Sequence, residues 1–256
     1  MTSRMTSAAA TIVFLAAMQP LCVADLTLDQ QLIVACYKLD VDSVVKCLRN
    51  GANVNATFGE SADDIDRFYN RWEGSTHMAT ASWTPLLAVA SALDYPDPPA
   101  ELGQIWKDPE RARALQKQIP QAELEKRRND AMIILDILLS HGCHLDEDDG
   151  FGATALYTAA DRENVPMARK LLQFGANANT KTKAYIDGPG DTTPLHVAMH
   201  SQELMQLLID HGADASAKDS EGHTPAEWVE LNDDRTFDLV QTPDGWRVQP
   251  KKGAVK

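Results

Sequence analysis

The densest group of side chains able to do chemistry lies between His141 and Asp149. This segment reads His-Gly-Cys-His-Leu-Asp-Glu-Asp-Asp, so two imidazoles, one thiol and four carboxylates follow closely in sequence. Imidazoles and thiolates are common ligands of Zn²⁺, whereas carboxylates are those of Ca²⁺. The aspartates lack the glycine placement of a calcium-binding loop. Of the two metals, only zinc is left as a candidate at this segment.

Motifs of known catalytic sites are missing from the sequence. It contains no Gly-x-Ser-x-Gly nucleophile motif, no glycine-rich phosphate loop and no His-Glu-x-x-His motif. An enzyme would need unrelated side chains to converge without any of these patterns. We therefore predict a protein that is not an enzyme.

A glycine tripeptide recurs directly after segments with apolar residues at helical spacing. It reads Gly51-Ala52-Asn53, Gly142-Cys143-His144, Gly175-Ala176-Asn177 and Gly212-Ala213-Asp214. The residue just past a helix end commonly adopts a left-handed conformation that glycine takes without strain. The tripeptide therefore predicts the ends of four helices.

A threonine motif predicts where a second set of helices begins. It occurs as Thr84-Pro85-Leu86, Thr154-Ala155-Leu156, Thr193-Pro194-Leu195-His196 and Thr224-Pro225. Threonine is a favourable N-cap, and proline in the first helical turn loses no hydrogen bond there. Thr27 and Gln30 have the spacing of a capping box and predict one further helix start.

Together these motifs resemble those of the ankyrin-repeat family, which has Thr-Pro-Leu-His and Gly-Ala-Asp elements in this order and a period of about 33 residues. The resemblance covers residues 26–231. It implies an all-α solenoid of four to five helix-turn-helix units with a long helical insertion. The units are expected at 26–57, 83–148, 149–182 and 192–219, with a partial unit at 220–231.

The resemblance also implies structural roles for the candidate metal ligands. His141 and His211 occupy the same position of the repeat, and Cys143 stands where the other tripeptides have alanine. The acidic residues form a hairpin tip, and His196 belongs to the structural Thr-Pro-Leu-His element. We therefore predict no metal and no cofactor.

Three segments depart from the repeat pattern. The first insertion, 58–82, contains Phe68, Tyr69, Arg71 and Trp72, residue types that dominate protein interfaces. Alternatively, Phe68 and Trp72 pin a short helix onto the repeats. The second insertion, 93–130, is expected to continue from Gln121 into a helix that overhangs the repeats. We favour a solvated arm over a binding element for this helix.

The third departure is the tail, residues 232–256. Apolar residues alternate on both sides of Thr242-Pro243-Asp244-Gly245, which predicts a β-hairpin. The end of a repeat array needs a cover. We favour a covering role for the hairpin over a binding role.

The first residues resemble an export signal. Arg4 is their only charge, Ala8–Met18 is apolar, and Cys22-Val23-Ala24 supplies small residues for cleavage. Residues 1–24 are thus a predicted signal peptide, which places the protein in the periplasm or outside the cell; the alternative is a helix packed on the first repeat. The domain organisation is then a signal peptide at 1–24, repeats at 25–231 and the tail at 232–256.

Export permits disulfide bonds among Cys36, Cys47 and Cys143, the cysteines that follow the signal peptide. The family resemblance places Cys36 and Cys47 on facing core positions of one unit. We predict a disulfide between them, with two buried thiols as the alternative.

The net charge of −13 and the pI of about 4.9 disfavour binding to nucleic acid or to anionic membranes. The sequence also lacks an apolar stretch long enough to span a membrane. We expect a monomer that binds a basic or neutral protein partner.

By the resemblance, partner contacts come from hairpin tips and from the ends of first helices, on one concave face. The residues implied are Tyr37, Trp83, Phe151, Asp161, Arg162, His200, Glu221 and His223, with Phe68, Tyr69, Arg71 and Trp72 added by the first insertion. Exported ankyrin proteins resemble periplasmic immunity or inhibitor proteins for a secreted toxin or enzyme. Alternatives are an accessory scaffold subunit of an envelope enzyme and a secreted effector that acts on host proteins.

Overall fold

The structure is a computed structural model that describes residues 26–57, 82–92, 120–183, 189–231, 237–243 and 245–251. The predicted signal peptide at 1–24, the first insertion with Phe68, Tyr69, Arg71 and Trp72 up to residue 81, and residues 93–119 of the second insertion lie outside these ranges. The chain divides into two compact units, Met1–His141 and Gly142–Lys256.

The first unit contains four helices in its described part: α1 (Leu28–Lys38), α2 (Val41–Arg49), α3 (Pro85–Ser91) and α4 (Gln121–Ser140). Helix α1 packs against α2 and α3, and α4 packs against the same two helices. The predicted capping box begins α1, because Gln30 N donates to Thr27 Oγ1 at 3.2 Å and Thr27 N donates to Gln30 Oε1 at 3.0 Å. Thr84 caps α3 in the predicted way.

Helix α4 is much longer than the other second helices of the repeats. It has 20 residues, whereas α2 has 9. Its buried side chains begin only at Ala131, so residues 121–130 overhang the packed part by about 15 Å. Arg127 Nη2 ties the overhang to the end of α3 by donating to Ala92 O at 2.8 Å. Helix α4 thus overhangs the repeats, as the sequence predicts for the helix that begins at Gln121.

The second unit contains five helices and two strands in its described part: α5 (Ala155–Asp161), α6 (Val165–Gln173), α7 (Pro194–Val197), α8 (Gln202–Asp210), α9 (Pro225–Leu231), β1 (Phe237–Thr242) and β2 (Gly245–Pro250). The first helices α5, α7 and α9 pack side by side, and α8 packs against α6. Fully buried Leu156, Leu195, Leu171 and Leu208 fill the space between the two helical layers.

The glycine tripeptides end helices as predicted. Their glycines have φ of 92°, 76°, 93° and 86° at positions 51, 142, 175 and 212. Three of the tripeptides end in an amide or carboxylate that folds back on the chain: Asn53 Oδ1 accepts from Asn55 N, Asn177 Oδ1 from Asn179 N and Asp214 Oδ1 from Ser216 N. These Asx turns explain why the third residue is asparagine or aspartate.

The C-terminal segment forms the predicted hairpin, with β1 antiparallel to β2 and Leu239 opposite Val248. Strand β1 packs on α9, and β2 packs on α8. Phe237 is only 1% exposed, and Val248 N donates to Gln206 Oε1 of α8 at 3.0 Å. In the described chain, a strand thus packs on α9, whereas in the preceding repeats a second helix packs on the first. The hairpin covers the last helices, in agreement with the favoured interpretation.

Both cysteines of the predicted disulfide are thiols in the structure. Cys36 on α1 and Cys47 on α2 are 0% and 5% exposed, so they pack as small apolar side chains in the core. Burial raises the pKa of the Cys47 thiol, which disfavours the thiolate that disulfide formation requires. The structure therefore corresponds to the alternative of two buried thiols.

Candidate functional site

The hairpin tips of the second unit are held by a polar side chain at the start of each tip. Asp219 Oδ1 accepts from Glu221 N at 2.9 Å and from His223 N at 2.8 Å. Asp149 Oδ1 makes the matching bonds with Phe151 N and Ala153 N, at 2.9 and 3.1 Å. The tip residues Phe151, Glu221 and His223 therefore project from a fixed backbone.

Thr182 takes the place of these aspartates in the remaining tip. Its Oγ1 accepts from Thr192 N at 3.2 Å and lies 2.6 Å from Thr192 Oγ1. Both threonines are buried. This pair joins the two ends of segment 182–192, of which residues 184–188 lie outside the described ranges.

Neighbouring tips are joined by hydrogen bonds. Lys183 N donates to Phe151 O at 2.6 Å, and Ser220 N donates to Gly190 O at 2.9 Å. Lys183 Nζ adds a bond to Gly150 O at 2.6 Å. These bonds make the tips of the second unit a continuous edge.

Gly152 lies where two tips approach most closely. Its φ is +88°, and a Cβ added there would lie 2.5 Å from Lys181 O and 2.8 Å from Thr182 Cα. We expect Gly152→Ala to reduce the free energy of unfolding by about 2 kcal/mol or more, because strain at positive φ adds to a collision with backbone atoms. Urea denaturation monitored by circular dichroism measures this loss.

The matched control is Gly175→Ala. Gly175 has a φ of +93°, but nothing lies within 4 Å of an added Cβ. This control should cost only about 1 kcal/mol, the strain of the left-handed backbone alone. Equal losses in the two variants would contradict the close approach of the tips.

Two first helices reach forward to the following tip through the same position of the repeat. His196 of α7 lies 3.2 Å from His223 O through Nε2, and Tyr157 of α5 lies 3.0 Å from Thr192 Oγ1 through its hydroxyl. Thr193 N donates to His196 Nδ1 at 3.1 Å, so that nitrogen is the unprotonated one and Nε2 carries the hydrogen. His196 is fully buried and structural.

Protonation of His196 should destabilise the fold. Burial lowers the pKa of this imidazole, and the hydrogen bond to His223 O and the charge of Asp219 only partly oppose that effect. A lowered pKa means that stability is complete above the unfolded value of about 6.5 and is lost as the pH falls through the folded value. The melting temperature should therefore fall between pH 7.5 and 5.

The variant His196→Asn separates this effect from other titrations. Asparagine does not titrate, so the melting temperature of the variant should depend less on pH over the same interval, although it starts lower. Parallel pH profiles for the two proteins would show that His196 does not contribute.

Asp219 is the most extensively bonded carboxylate in the described chain. Besides the two tip amides, it accepts from Trp228 Nε1 of α9 at 2.8 Å, and its side chain is 0% exposed. Burial alone would raise the pKa of Asp219, but the hydrogen bonds from Trp228, His223 and Glu221 outweigh it and lower the pKa. Trp228 therefore points inward to Asp219, which joins the last tip to α9.

In the first unit, two predicted contact residues meet. The rings of Tyr37 and Trp83 have centroids 5.8 Å apart and planes at 81°, an edge-to-face pair. Trp83 Nε1 is buried and has no hydrogen-bond partner in the described part of the chain.

The remaining predicted contact residues of the second unit lie at helix and hairpin ends. Asp161 and His200 are exposed, and Arg162 and Phe151 are partly buried. Burial raises the pKa of Asp161, and the charge of His200 opposes this shift only in part. Glu221 Oε2 and Asp219 Oδ2 each lie 3.7 Å from His223 Nδ1.

The segment His141–Asp149 has the structural roles that the repeat implies. The imidazole Nδ1 of His141 lies 2.8 Å from Ile137 O, and that of His211 lies 2.9 Å from Leu207 O, so both cap helix ends. Burial raises the pKa of the Cys143 thiol to about 11, which opposes metal binding through a thiolate. Within the described ranges, no group of three histidine, cysteine or acidic residues is arranged to hold a metal ion.

The family model for ankyrin repeats matches residues 126–219, in three copies. The chain carries ankyrin repeats. Similar ankyrin proteins include ankyrin repeat and SOCS box protein 11 of Danio rerio, 34% identical over 48% of this chain and 39% of the relative. Ankyrin repeat and SOCS box protein 9 of Mus musculus is 35% identical over 38% of this chain and 32% of the relative.

The E3 ubiquitin-protein ligase KEG of Arabidopsis thaliana is 25% identical over 66% of this chain but over only 10% of its own length. The chain thus spans less than half of each of these relatives. Ankyrin repeats are in general protein-interaction modules without catalytic activity. No helix in the described ranges combines the length and the apolar character needed to cross a bilayer.

Several residues that shape the tips were not among the predicted site residues. Tyr157, Thr182, Asp219 and Trp228 position the contact residues without being contact residues themselves. Two of them were visible in the sequence: Tyr157 stands at the histidine position of Thr-x-x-His, and Asp219 repeats the Asp-x-x-Gly-x-Thr spacing of Asp149.

Proposed function

We propose that this ankyrin protein is an exported, non-catalytic module that holds a protein partner on its hairpin tips and first-helix ends. The observation that carries the proposal is the rigid backbone under exposed, chemically varied side chains. Asp149, Thr182 and Asp219 hold the tips of the second unit, while Glu221 keeps 63% of its side chain exposed. A preorganised surface of this kind binds at little cost in ordering entropy.

The binding surface is tested with the partner itself, captured on residues 25–256 from a periplasmic extract. Trp83→Ala should speed dissociation by about 30-fold, because truncation of an interface aromatic commonly costs about 2 kcal/mol. Phe174→Ala is the matched control, since Phe174 is an aromatic 54% exposed that is not a predicted contact residue. Equal kinetics for both variants would refute the assigned surface.

The association rate of a charge-reversal variant is a second test with the same partner. Glu221→Lys should slow association at low salt, because the acidic protein attracts a basic partner over the screening length. This difference should disappear at about 1 M salt, where screening is strong. A salt-independent association rate in the parent protein would exclude a basic partner.

Within this binding function, we favour a periplasmic immunity or inhibitor protein for a secreted toxin or enzyme. The export step predicts cleavage after Ala24, so the intact mass of the protein recovered from cells should correspond to a chain that begins at Asp25. An inhibitor must reduce the activity of the captured partner in a purified mixture. An unchanged or increased activity would favour the accessory-scaffold alternative instead.

A further inference from the structure

We propose that His196 is a pH-dependent link between α7 and the hairpin tip at residues 219–224, and that mild acid opens this link and loosens the tip. The tip presents Glu221 and His223, two of the predicted contact residues. The inference rests on the proposed function in one respect, because it makes partner binding at this tip depend on pH. It is carried by the bonds that the two ring nitrogens of His196 make.

The His196 link consists of two hydrogen bonds on opposite sides of one imidazole. Thr193 N donates to Nδ1 at 3.1 Å, and Nε2 donates to His223 O at 3.2 Å. Thr193 Oγ1 lies 2.9 Å from the same Nδ1. The residue is 0% exposed. His196 therefore joins the start of α7 to the tip, with one nitrogen as the acceptor and the other as the donor.

A proton on Nδ1 is incompatible with this arrangement. An imidazolium donates from both nitrogens, so the Thr193 amide would face a donor instead of its acceptor. The charged ring would also lack hydration in its buried position. Protonation is therefore favourable only when the link opens and the ring reaches water.

The charges around the ring do not remove this penalty. Burial lowers the pKa of His196, and Lys181 of the preceding tip acts in the same direction, whereas the bond to His223 O and the carboxylate of Asp219 oppose the shift only in part. Helix α9 faces the imidazole with the uncharged ring of Trp228, at a centroid distance of 5.6 Å.

The other titratable side chains on the helices around α7 lie near different groups. They are Tyr157, which bonds to Thr192, and Asp161, which lies near His200, on α5; Glu203 and Asp210, which accept from Arg169 and Gln206, on α8; and Glu227, which accepts from Thr224 N, and the exposed Glu230 on α9. Within the described chain, the charges that act on His196 are thus those of Asp219 and Lys181.

The other first helices of the described chain carry different residues at the position of His196. These are Gln30 in α1, Leu87 in α3, Tyr157 in α5 and Glu227 in α9. Side chains of these types do not change their charge between pH 7.5 and 5.5 at their ordinary pKa values. Of these five positions, only the one with histidine is therefore expected to respond to mild acid.

Hydrogen exchange of the Thr193 amide in the full chain measures the opening of the link. In the open state His196 regains the ordinary pKa of about 6.5, so the protection factor of Thr193 should fall by about 10-fold from pH 7.5 to 5.5. The Thr27 amide, which donates to Gln30 Oε1 at 3.0 Å, should keep its protection because that acceptor does not titrate.

Two results of this measurement would overturn the proposal. One is a Thr193 protection factor that does not depend on pH. The other is a Thr193 protection factor equal to those of the α6 amides, because the link would then open only when the whole unit unfolds.

The matched variant is His196→Gln. Glutamine can accept from Thr193 N as Gln30 accepts from Thr27 N, and it does not titrate, so Thr193 protection should not depend on pH in this variant. Protection that still falls in acid would assign the effect to another group and refute the role of His196. Thr193 exchange in the parent chain tests the link even if the variant is unstable.

The captured partner tests the consequence for binding. Its dissociation from the parent chain should be faster at pH 5.5 than at pH 7.5, and His196→Gln should reduce this difference, while His223 titrates in both proteins. An equal effect of pH on both would overturn the role in binding. If Thr193 responds to acid but Trp83→Ala binds the partner as the parent does, the proposed surface is wrong and the link stands. A Thr193 protection factor that is independent of pH refutes the link alone.

Discussion

Replacing Asp219 by alanine is expected to lower the free energy of unfolding by about 3–4 kcal/mol. The side chain is 0% exposed and accepts hydrogen bonds from Glu221 N, His223 N and Trp228 Nε1. Alanine leaves these three N–H groups without their acceptor and opens a cavity between the last tip and α9. Hydrogen bonds to a charged acceptor contribute more than neutral ones, so the loss should exceed that from removing a neutral hydrogen-bonding side chain.

The measurement is urea denaturation at pH 7, with Asp214→Ala as the matched control. Asp214 also accepts a hydrogen bond from a backbone amide, that of Ser216, but it is exposed to solvent. Water can replace the acceptor there, so the control should cost about 1 kcal/mol or less. A loss of similar size in both variants would show that Asp219 is not the centre of a buried network.

The pH dependence of the Asp219 contribution has a definite sign. The pKa of Asp219 is lower in the folded protein than the ordinary aspartate value, since the hydrogen bonds outweigh burial. Its stabilisation is thus complete above about pH 4 and is lost as the pH falls through the folded pKa. The stability difference between the parent and Asp219→Ala should therefore stay constant from pH 7 to 5 and shrink only in stronger acid.

The elements that could be predicted from the sequence are those with local causes. A glycine with positive φ ends each helix at 51, 142, 175 and 212, and threonine side chains begin α1, α3 and α5. The C-terminal hairpin followed from alternation around a turn sequence. In each of these cases the residues within one or two turns determine the backbone, so the one-dimensional pattern is sufficient.

Side-chain direction at the end of the repeats could not be predicted in this way. Nothing in the sequence indicates that the Trp228 indole points inward to Asp219. The state of the two cysteines at the predicted disulfide is a further feature that the sequence leaves open. Facing core positions bring Cys36 and Cys47 near each other, but whether two sulfurs bond depends on their exact geometry and on their pKa, and both cysteines are buried thiols here.

The sequence predicts the candidate site as a set of separate positions, and the structure adds the contacts between their side chains. The repeat register identified Tyr37 and Trp83 separately, whereas their edge-to-face contact and the unsatisfied Trp83 N–H need coordinates. Asp161 was selected by position alone, and the burial that raises its pKa is likewise visible only in the structure.

The second large effect is expected at Phe237, the first residue of β1. Phe237 is 1% exposed and β1 packs on α9, so Phe237→Ala should lower the free energy of unfolding by about 3–5 kcal/mol through lost burial and a cavity. The loss should appear first at the C-terminal end, because each unit of a repeat protein is stabilised mainly by its neighbours. Hydrogen exchange should show early opening of α9, β1 and β2, with α5 and α6 unaffected.

Val240→Ala is the matched control within the same strand. Val240 is 37% exposed and pairs with Arg247, on the face of the hairpin opposite to Phe237 and Leu239, so its truncation should cost about 0.5 kcal/mol or less. If both variants lose the same stability, packing of the hairpin does not stabilise α9. If only Phe237→Ala opens the end, the hairpin stabilises α9 in the way that a second helix stabilises the first helix in the preceding repeats. The exposed faces of α8 and α9 should then make that variant aggregate at concentrations where Val240→Ala stays monomeric.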